Sequence, residues 1–488
     1  MNRKKNLESV ILVIGTITFF MSLFFSQSLI GYSVAVFLGL YTLLNPKRAL
    51  FILSLYFPIR PLITELNPGL KVLGDLIIVI LFIRAVIICV RNNGFKAIFA
   101  LEWFEWAFII YAVFGSLVGL LHGVSAASVV FQFRAFMITY LLFYAVKRMD
   151  SFRRREWLGW LWFVFFIAVT ICIHGLVEKL SLRTFLLPEA WAEQDLSPTN
   201  AIRIYGMAHN PNVLALFLGI AFMTTMFLRM FYGEGKNKSV VLKSEEGGYN
   251  TFKRVIIDIG LILITGVFLL TYSRGSMIAF AVVFIVYVVV SGRLKIIKPV
   301  VIYLFLAIFL VFYPANKAAE LIQKQFGNHY GQAVHYTDRL TGTFSGQSID
   351  QSVGGGRLYI VKKGFTIFQD HPVAGTGFGT FGDSAAHAFG SPIYKKYQIP
   401  RTIYTDNQYI EIIVQTGIIG VILFAVFLLG MLRVLWKNRG PFVIPLVALL
   451  IGAYVSGLYY NIWEDKAFTL FFFMMFGLIY SRGSDPKV

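Results

Sequence analysis

Residues 72–90, VLGDLIIVILFIRAVIICV, decide the fold class of this protein. The stretch is apolar apart from Asp75 and Arg84. A helix needs about 20 such residues to cross the hydrocarbon core of a bilayer, because its backbone polar groups can be satisfied only within the segment. Comparable stretches recur along the 488 residues, which are 57% hydrophobic and 14% charged, with a mean hydropathy of +0.71. Soluble globular proteins carry about 25% charged residues. The sequence therefore predicts an all-α, polytopic integral membrane protein.

The candidate transmembrane helices number about 14, with a range of about 12 to 14 because several segments are short. The third, 49–59, is compatible with a span and with a re-entrant segment, because Pro58 and Pro61 interrupt it. A basic start followed by an apolar run without a small-residue cleavage site predicts a retained first pair of membrane helices. Placing the N-terminus inside puts the basic connections in the cytoplasm, so we predict that both termini are cytoplasmic.

The net charge of +19, from 44 Lys+Arg against 25 Asp+Glu, would suggest a nucleic-acid partner in a soluble chain. Sorting the charges by side of the membrane assigns roughly 26 basic and roughly 8 acidic residues to the cytoplasm, against roughly 16 and roughly 15 outside. The excess of positive charge is therefore a signal of orientation in the membrane, and we expect no nucleic-acid partner. Both cysteines, Cys89 and Cys172, lie in apolar stretches and the histidines lack metal-ligand spacing, so we expect no metal site.

Two connections are long, and both fall outside under this topology. We interpret the chain as one polytopic domain, 1–488, with a first long extracellular loop at 178–212. The large extracellular loop, 314–409, is expected to form part of the active site, since long loops are often functional. Four of its apolar residues share one helical face: Leu358, Val361, Phe365 and Phe368. That pattern predicts a helix lying along the membrane surface.

Two arginines at the outer ends of spans are candidates for binding an anion. Arg274 lies in a short break between two apolar runs, where the next helix start would present backbone N–H groups. Arg203 precedes another helix start, at which Asn210 and Asn212 are typical N-terminal residues. Because an arginine binds phosphate oxygens in pairs, the two together fit a diphosphate. For Arg274, contact with lipid headgroups or loop carbonyls is the alternative.

Charges within spans are costly unless they are paired or functional. Arg84 lies level with Glu102 and Glu105, and we interpret it as half of a structural ion pair. Arg134 lies deeper and has no obvious partner near it in sequence. A functional cavity and a structural role both stay open for it.

The end of the large loop supplies the remaining polar candidates. Asp406 and Asn407 immediately precede a helix, so Asp406 is either an N-cap or a catalytic base. Asp370 is interpreted as a turn or cap residue. His371 is isolated in sequence, and such a histidine is more often structural.

Four motifs follow one another along the second half of the chain. They are Arg203 with Gly206 and Asn210-Pro-Asn212, then Ser273-Arg-Gly275, then Gly356-Arg357 with Asp370-His-Pro-Val-Ala-Gly-Thr-Gly377, and finally Asp406-Asn-Gln-Tyr-Ile410 with Gly417. In this order they resemble the O-antigen ligase and polymerase superfamily, over about residues 200–430. Within it, the length and overall character are most similar to the teichuronic acid polymerases of Gram-positive bacilli.

The resemblance implies a metal-independent, all-helical membrane glycosyltransferase without cofactors, in the plasma membrane of a bacterium. It implies Arg203 and Arg274 as diphosphate ligands, and Arg357 is a third candidate. The candidates for positioning the substrate are Asn210, Asn212, Asn407 and Arg134. Ligases of this superfamily typically have a histidine where Asp406 stands. Three alternatives stay open: Asp406 is the base, His371 replaces it, or no base is needed.

The expected reaction is polymerisation of a cell-envelope polysaccharide at the outer face of the membrane. Glycan passes from an undecaprenyl-diphosphate-linked donor to a sugar hydroxyl of a lipid-linked acceptor, with inversion at the anomeric carbon. Expected partners are donor and acceptor, membrane lipids, and a flippase with other assembly proteins. One alternative is a ligase with a different acceptor. The other is a transporter of envelope precursors, which would show repeat symmetry and polar groups at the membrane midplane.

Overall fold

The computed structural model describes residues 2–232, 251–326, 356–400 and 403–483, which form helices joined by turns and loops. No strand occurs in these ranges. The helices are α1 (Asn2–Ser22), α2 (Ser28–Leu44), α3 (Pro46–Leu66), α4 (Leu73–Asn93), α5 (Trp103–Leu121), α6 (Ala126–Val146), α7 (Arg154–Leu180), α8 (Glu189–Ala192), α9 (Pro198–Ala201), α10 (Pro211–Phe231), α11 (Thr251–Leu270), α12 (Arg274–Ser291), α13 (Ile297–Ala307), α14 (Tyr313–Phe326), α15 (Arg357–Asp370), α16 (Ser384–Phe389), α17 (Tyr394–Tyr397), α18 (Gln408–Lys437), α19 (Ile444–Ser456) and α20 (Lys466–Gly483).

Many of these helices are apolar enough for a membrane. Within the described ranges, nine segments are long and apolar enough to cross it: Pro46–Leu66, Pro68–Asn93, Trp103–Leu121, Ala126–Val146, Arg154–Leu180, Pro211–Phe231, Arg274–Ser291, Leu294–Gln325 and Gln408–Lys437. Shorter apolar helices are Val10–Ser22, Ser28–Leu44, Ile444–Ser456 and Lys466–Ser481. The fold is therefore the predicted all-α, polytopic membrane architecture.

Helix α3 covers the third candidate segment, 49–59, for which a span and a re-entrant segment were both predicted. It has 21 residues, among them Pro58 and Pro61, and it is one of the candidate spans. At about 1.5 Å per residue this helix is about 31 Å long, which matches the hydrocarbon core. The two prolines remove backbone donors without ending the helix, so the segment is one continuous helix that is long enough to span the membrane.

The helix before the large loop continues past the predicted loop start at 314. A π-helical turn, Ile308–Phe312, joins α13 to α14, which ends at Phe326. A π-helical turn has one more residue between its hydrogen-bonded groups than an α-helical turn. Because this turn lies just before Pro314, it makes room for the proline ring, which in an α-helix would clash with the carbonyl four residues earlier. Residues 327–355 of the predicted loop lie outside the described residues.

The loop segment 372–383 is fixed to the C-terminal end of α5. Phe378 N–H donates to the Gly115 oxygen at 2.9 Å, and the Phe378 ring is fully buried. Gly377 has φ 91°, and a Cβ there would lie 1.9 Å from the backbone nitrogen of Gly119. Only glycine fits this close approach. This segment of the large loop is therefore packed into the helix bundle.

Helix α15 confirms the helix predicted in the large loop, although a different face is packed. Its buried residues are Ile360, Gly364 and Ile367, and a Cβ on Gly364 would lie 2.5 Å from the Ile410 side chain of α18. Leu358 and Phe365, on the face predicted from periodicity, are 50% and 49% exposed. These two residues point away from the bundle, whereas Val361 of the same face packs against the cluster that contains Ile360 and Ile367. That the helix lies along the membrane surface stays a prediction.

Candidate functional site

Two helix starts meet at Arg203. Its Nε donates to the backbone oxygen of Thr271, and its Nη2 donates to Oδ1 of Asn212, both at 2.8 Å. Ser273 Oγ donates to the same Asn212 oxygen at 2.9 Å. Asn210 is the N-cap of α10 and accepts from the backbone N–H of Asn212 at 2.8 Å. Asn212 therefore joins the start of α10 to the start of α12, and Arg203 is held by both.

Arg274 is the first residue of α12 and is exposed. It follows Ser273, whose hydroxyl lies 2.8 Å from that of Ser276. The structure therefore brings Arg203 and Arg274 to the same pair of helix starts, where backbone N–H groups and helix dipoles favour an anion. That they bind a diphosphate stays a prediction.

The turn at residues 457–459 connects these helix starts to Asp406. On one side, Gly275 packs so closely on Tyr459 that a Cβ would lie 3.0 Å from the tyrosine Cβ. On the other side, Asn407 Nδ2 and the backbone N–H of Gln408 donate to two backbone oxygens of the turn, at 3.2 and 2.8 Å. Asp406 precedes Asn407 directly. The arginine cluster and Asp406 therefore flank one short turn.

Asp406 is not the N-cap of α18. Asn407 has that role, because its side chain accepts from two backbone N–H groups of the first helical turn, both at 3.1 Å. Asp406 itself has a left-handed φ of 44° and lies 3.4 Å from Nη2 of Arg357. Partial burial raises the pKa of Asp406 above its ordinary value, and Arg357 opposes that shift. Of the two predicted alternatives, the cap is excluded and the base stays a prediction.

His371 lies apart from Asp406. It follows α15 as its C-cap, and the next residue, Pro372, accepts from the backbone N–H of Ile418 at 2.9 Å. That contact is just beyond Gly417, where α18 is kinked. The nine residues of α18 before the kink measure about 13 Å, so the structure separates His371 from Asp406 by about this length.

The surroundings of His371 keep it neutral. Desolvation lowers its pKa, and the neighbouring His122 and Lys396 add to this, with the two histidine rings 5.3 Å apart. Asp370, which was predicted to be a turn or cap residue, is the last residue of α15, and His371 is the cap. The Asp370 carboxylate accepts from Tyr397 Oη at 2.6 Å, which lowers its pKa.

Arg134 and Arg84 are the two arginines within spans that the sequence analysis considered. Arg134 Nη1 forms an ion pair with Asp75 of α4, a partner that is distant in sequence. Asp75 is 59 residues away in sequence, which is why the pair was not found. Glu105 pairs with Lys147 and accepts from Tyr140 at 2.9 Å, and Glu102 accepts from Tyr480 Oη at 2.5 Å. Among the described residues neither glutamate pairs with Arg84, so the structural ion pair predicted for Arg84 is wrong.

Three buried or partly buried carboxylates beneath the site were missed by the sequence analysis: Asp383, Glu411 and Glu464. Asp383 accepts from Gln415 Nε2 at 2.7 Å, and Glu464 accepts from Ser384 Oγ at 2.7 Å. Burial and the nearby charge of Glu464 raise the pKa of Asp383 to about 7. These contacts tie the large loop to the bundle near Asp406.

A hydrogen-bonded chain connects these carboxylates to the residue before Asp406. Asn461 Nδ2 donates to Glu411 at 2.5 Å, and Thr405 Oγ1 lies 3.1 Å from the Asn461 side-chain oxygen. Thr405 N–H also donates to the backbone oxygen of Gly382 at 3.0 Å. Polar groups of three separate segments, at Gly382, Glu411 and Asn461, thus fix the backbone next to Asp406.

A buried ion pair holds the first long loop in place. Glu178 pairs with Arg183 and also accepts from the backbone N–H of Gly206 at 2.6 Å. Arg183 Nη2 donates to the Trp191 oxygen at 3.1 Å. Since Gly206 lies three residues after Arg203, these contacts fix the turn that presents Arg203.

The comparison with known families bears on this geometry. Residues 259–425 match the family model described as O-Antigen ligase. The matched segment contains Arg274, Arg357 and Asp406, whereas Arg203 precedes it. The match supports the O-antigen ligase and polymerase superfamily and a role as a membrane glycan polymerase or ligase. Among curated proteins, none matches the chain.

Proposed function

We propose that this protein polymerises a cell-envelope polysaccharide, teichuronic acid, from undecaprenyl-diphosphate-linked units at the outer face of the cell membrane. The observation that carries the proposal is the joined pair of helix starts at which Arg203, Asn212 and Ser273 are hydrogen-bonded, with Arg274 next in sequence. The O-Antigen ligase match over 259–425 supports the reaction class.

The arginines act on the leaving group. The bond between the anomeric carbon and the diphosphate oxygen breaks, and the diphosphate leaves with the electron pair. Arg203, Arg274 and the N–H groups of the two helix starts stabilise the negative charge that develops on it, which is commonly a large contribution to catalysis. The acceptor hydroxyl attacks from the opposite face, so one displacement inverts the anomeric configuration.

Asp406 takes the proton of the attacking hydroxyl. A carboxylate whose pKa is raised is a stronger base, and such a group contributes about 10²- to 10⁴-fold when it is correctly placed. Arg357, 3.4 Å away, keeps the carboxylate ionised and orients it. This contact favours a positioning role for Arg357 over its predicted role as a third diphosphate ligand. The separation of His371 from Asp406 favours Asp406 as the base.

Reconstitution tests this assignment. Purified protein in proteoliposomes is supplied with a lipid-linked repeat unit, and chain elongation is followed for the variants Arg203→Ala, Arg274→Ala and the two lysine substitutions. Loss of one electrostatic ligand is expected to lower kcat by about 10²- to 10³-fold. Lysine should not restore activity, because it lacks the planar fork. Arg84→Gln, an arginine in a span away from the site, is the matched control.

The products separate the alternatives. Longer chains on the same lipid support a polymerase, and transfer to a different acceptor would identify a ligase. Movement of an unaltered lipid-linked unit across the membrane would identify a transporter. Full elongation by both alanine variants would contradict the diphosphate assignment.

A further inference from the structure

A second cationic cluster lies in the bundle around Asp75. Arg134 of α6 hydrogen-bonds one carboxylate oxygen, and Lys466 Nζ of α20 lies 3.4 Å from the other. Arg60 of α3 lies near Lys466 and beside the hydroxyl of Tyr56. Two cations therefore contact one carboxylate, and a third lies nearby.

The charges of this cluster do not balance. With all four groups ionised its net charge is +2. The two carboxylates before Lys466 in sequence form no ion pair with the cluster in the described part of the chain: Glu464 accepts from Gln132 and Ser384, and Asp465 accepts from the backbone N–H of Phe468 at 2.8 Å. An excess charge among membrane helices is costly, and a residue that carries one usually serves a pathway or a ligand. The imbalance calls for a negatively charged ligand.

The cluster opens on the same end of the bundle as the candidate site. Helix α3, which carries Arg60, packs against the turn Gly206–Ala208 that follows Arg203. Arg134 lies over the ring of Phe131 at 5.4 Å, and Phe131 contacts Phe389 of the large loop, with ring centroids 5.6 Å apart. The Arg134 side chain is 41% exposed, so a ligand can reach it.

We propose that Arg60, Arg134 and Lys466 form a second lipid-diphosphate site, which holds the acceptor while Arg203 and Arg274 hold the donor. The proposal rests on the proposed function, because a polymerase must bind two lipid-linked diphosphates at once. A diphosphate diester carries two ionised oxygens, which match the excess charge of the cluster. Asp75 holds Arg134 and Lys466 in place, and its single negative charge does not neutralise the three cations. A ligase whose acceptor lacks a diphosphate has no need of this second cluster.

Binding stoichiometry tests the second site. The full-length protein in phosphatidylcholine nanodiscs is titrated with undecaprenyl diphosphate, and bound molecules are counted by native mass spectrometry. We expect two per wild-type chain, one for Arg134→Gln and one for Arg274→Ala. Glutamine keeps a donor for Asp75, and Lys466 still pairs with it, so the variant should fold. Arg84→Gln, on the same helix as Asp75, should still bind two.

Each other outcome has a definite meaning. Saturation at one molecule in the wild type, or two molecules bound by Arg134→Gln, overturns the second site. If added phosphatidylglycerol displaces the second molecule, the cluster binds phospholipid headgroups and the proposal is likewise overturned. Two molecules on Arg274→Ala with one on Arg134→Gln would leave the second site intact and refute the donor site of the proposed function.

Kinetics supply a readout that a structural role would not give. Loss of a charge-assisted hydrogen bond should raise the acceptor KM of Arg134→Gln about tenfold or more and leave the donor KM unchanged. Arg134→Lys should recover part of the acceptor affinity. An equal rise in both KM values would refute the assignment.

Discussion

Replacing Asn212 with alanine removes the oxygen through which the two helix starts are joined. That oxygen accepts from Arg203 at 2.8 Å and from Ser273 at 2.9 Å. The substitution leaves the bond from Arg203 Nε to the Thr271 oxygen and removes the charged bond from Nη2, which we expect to loosen the orientation of the guanidinium. A hydrogen bond to a charged group contributes about 1.5–3 kcal/mol. If that energy is used in the transition state, kcat/KM falls about 10- to 150-fold.

The assay is chain elongation in proteoliposomes at several donor concentrations, with two substitutions at the same position. Asn212→Asp keeps an acceptor for both partners but places a negative charge beside the donor diphosphate. We therefore expect it to lose more activity than Asn212→Ala, since like charges repel in a site of low dielectric constant. Asn200→Ala is the matched control, because its amide donates to Ser197 Oγ at 3.0 Å in an exposed position.

Two results would refute this reasoning. Activity of Asn212→Ala within about twofold of the wild type would mean that the shared oxygen does not position Arg203 for catalysis. Activity of Asn212→Asp at or above that of the alanine variant would mean that no anion lies beside residue 212. Thermal unfolding of each variant in detergent shows whether a loss of activity is instead a loss of fold.

Three further perturbations have defined outcomes. Arg357→Gln removes the charge that lowers the pKa of Asp406, so the acidic limb of the kcat/KM profile should move to higher pH; an unmoved limb would exclude Asp406 as the base. The folded-state pKa of Asp383, about 7, exceeds the ordinary carboxyl value, so its stabilising contribution is present below about pH 4 and lost as the pH rises through 7. The melting temperature of the wild type should therefore fall between pH 5 and pH 8, and Glu464→Gln should make that fall smaller. An equal fall in the variant and the wild type would show that the two charges do not interact. Gly377→Ala forces a methyl group into the α5 backbone and should destabilise the fold by about 1–3 kcal/mol, which thermal unfolding measures against Gly440→Ala, where a Cβ meets nothing within 4 Å.

The membrane fold was readable from sequence because a span leaves a long local pattern. A helix in lipid satisfies its own backbone and needs about 20 apolar residues in a row, so composition alone located most of the bundle. Helix ends were less readable: the extension of α14 past Pro314 depends on a π-helical turn that hydropathy does not reveal. The packed face of α15 was also missed, since both faces of that helix carry apolar residues and only contact with α18 distinguishes them.

The candidate site was predictable where its residues stand beside a helix start. Arg203 and Arg274 were found in this way, because capping residues and short breaks are local signals. Pairs that form across the bundle left no such signal. Asp75 is 59 residues from Arg134, and Ser384 is 80 residues from Glu464, so these contacts became visible only in the fold.

The 457–459 turn has a consequence for the product. It packs against Gly275 on one side and accepts hydrogen bonds from Asn407 and Gln408 on the other. In the proposed function it is therefore a spacer between the leaving diphosphate and the proton acceptor. The length of a spacer selects which hydroxyl of a bound sugar can reach both groups at once. Lengthening or shortening the turn by one residue should therefore change the linkage that is formed before it abolishes transfer.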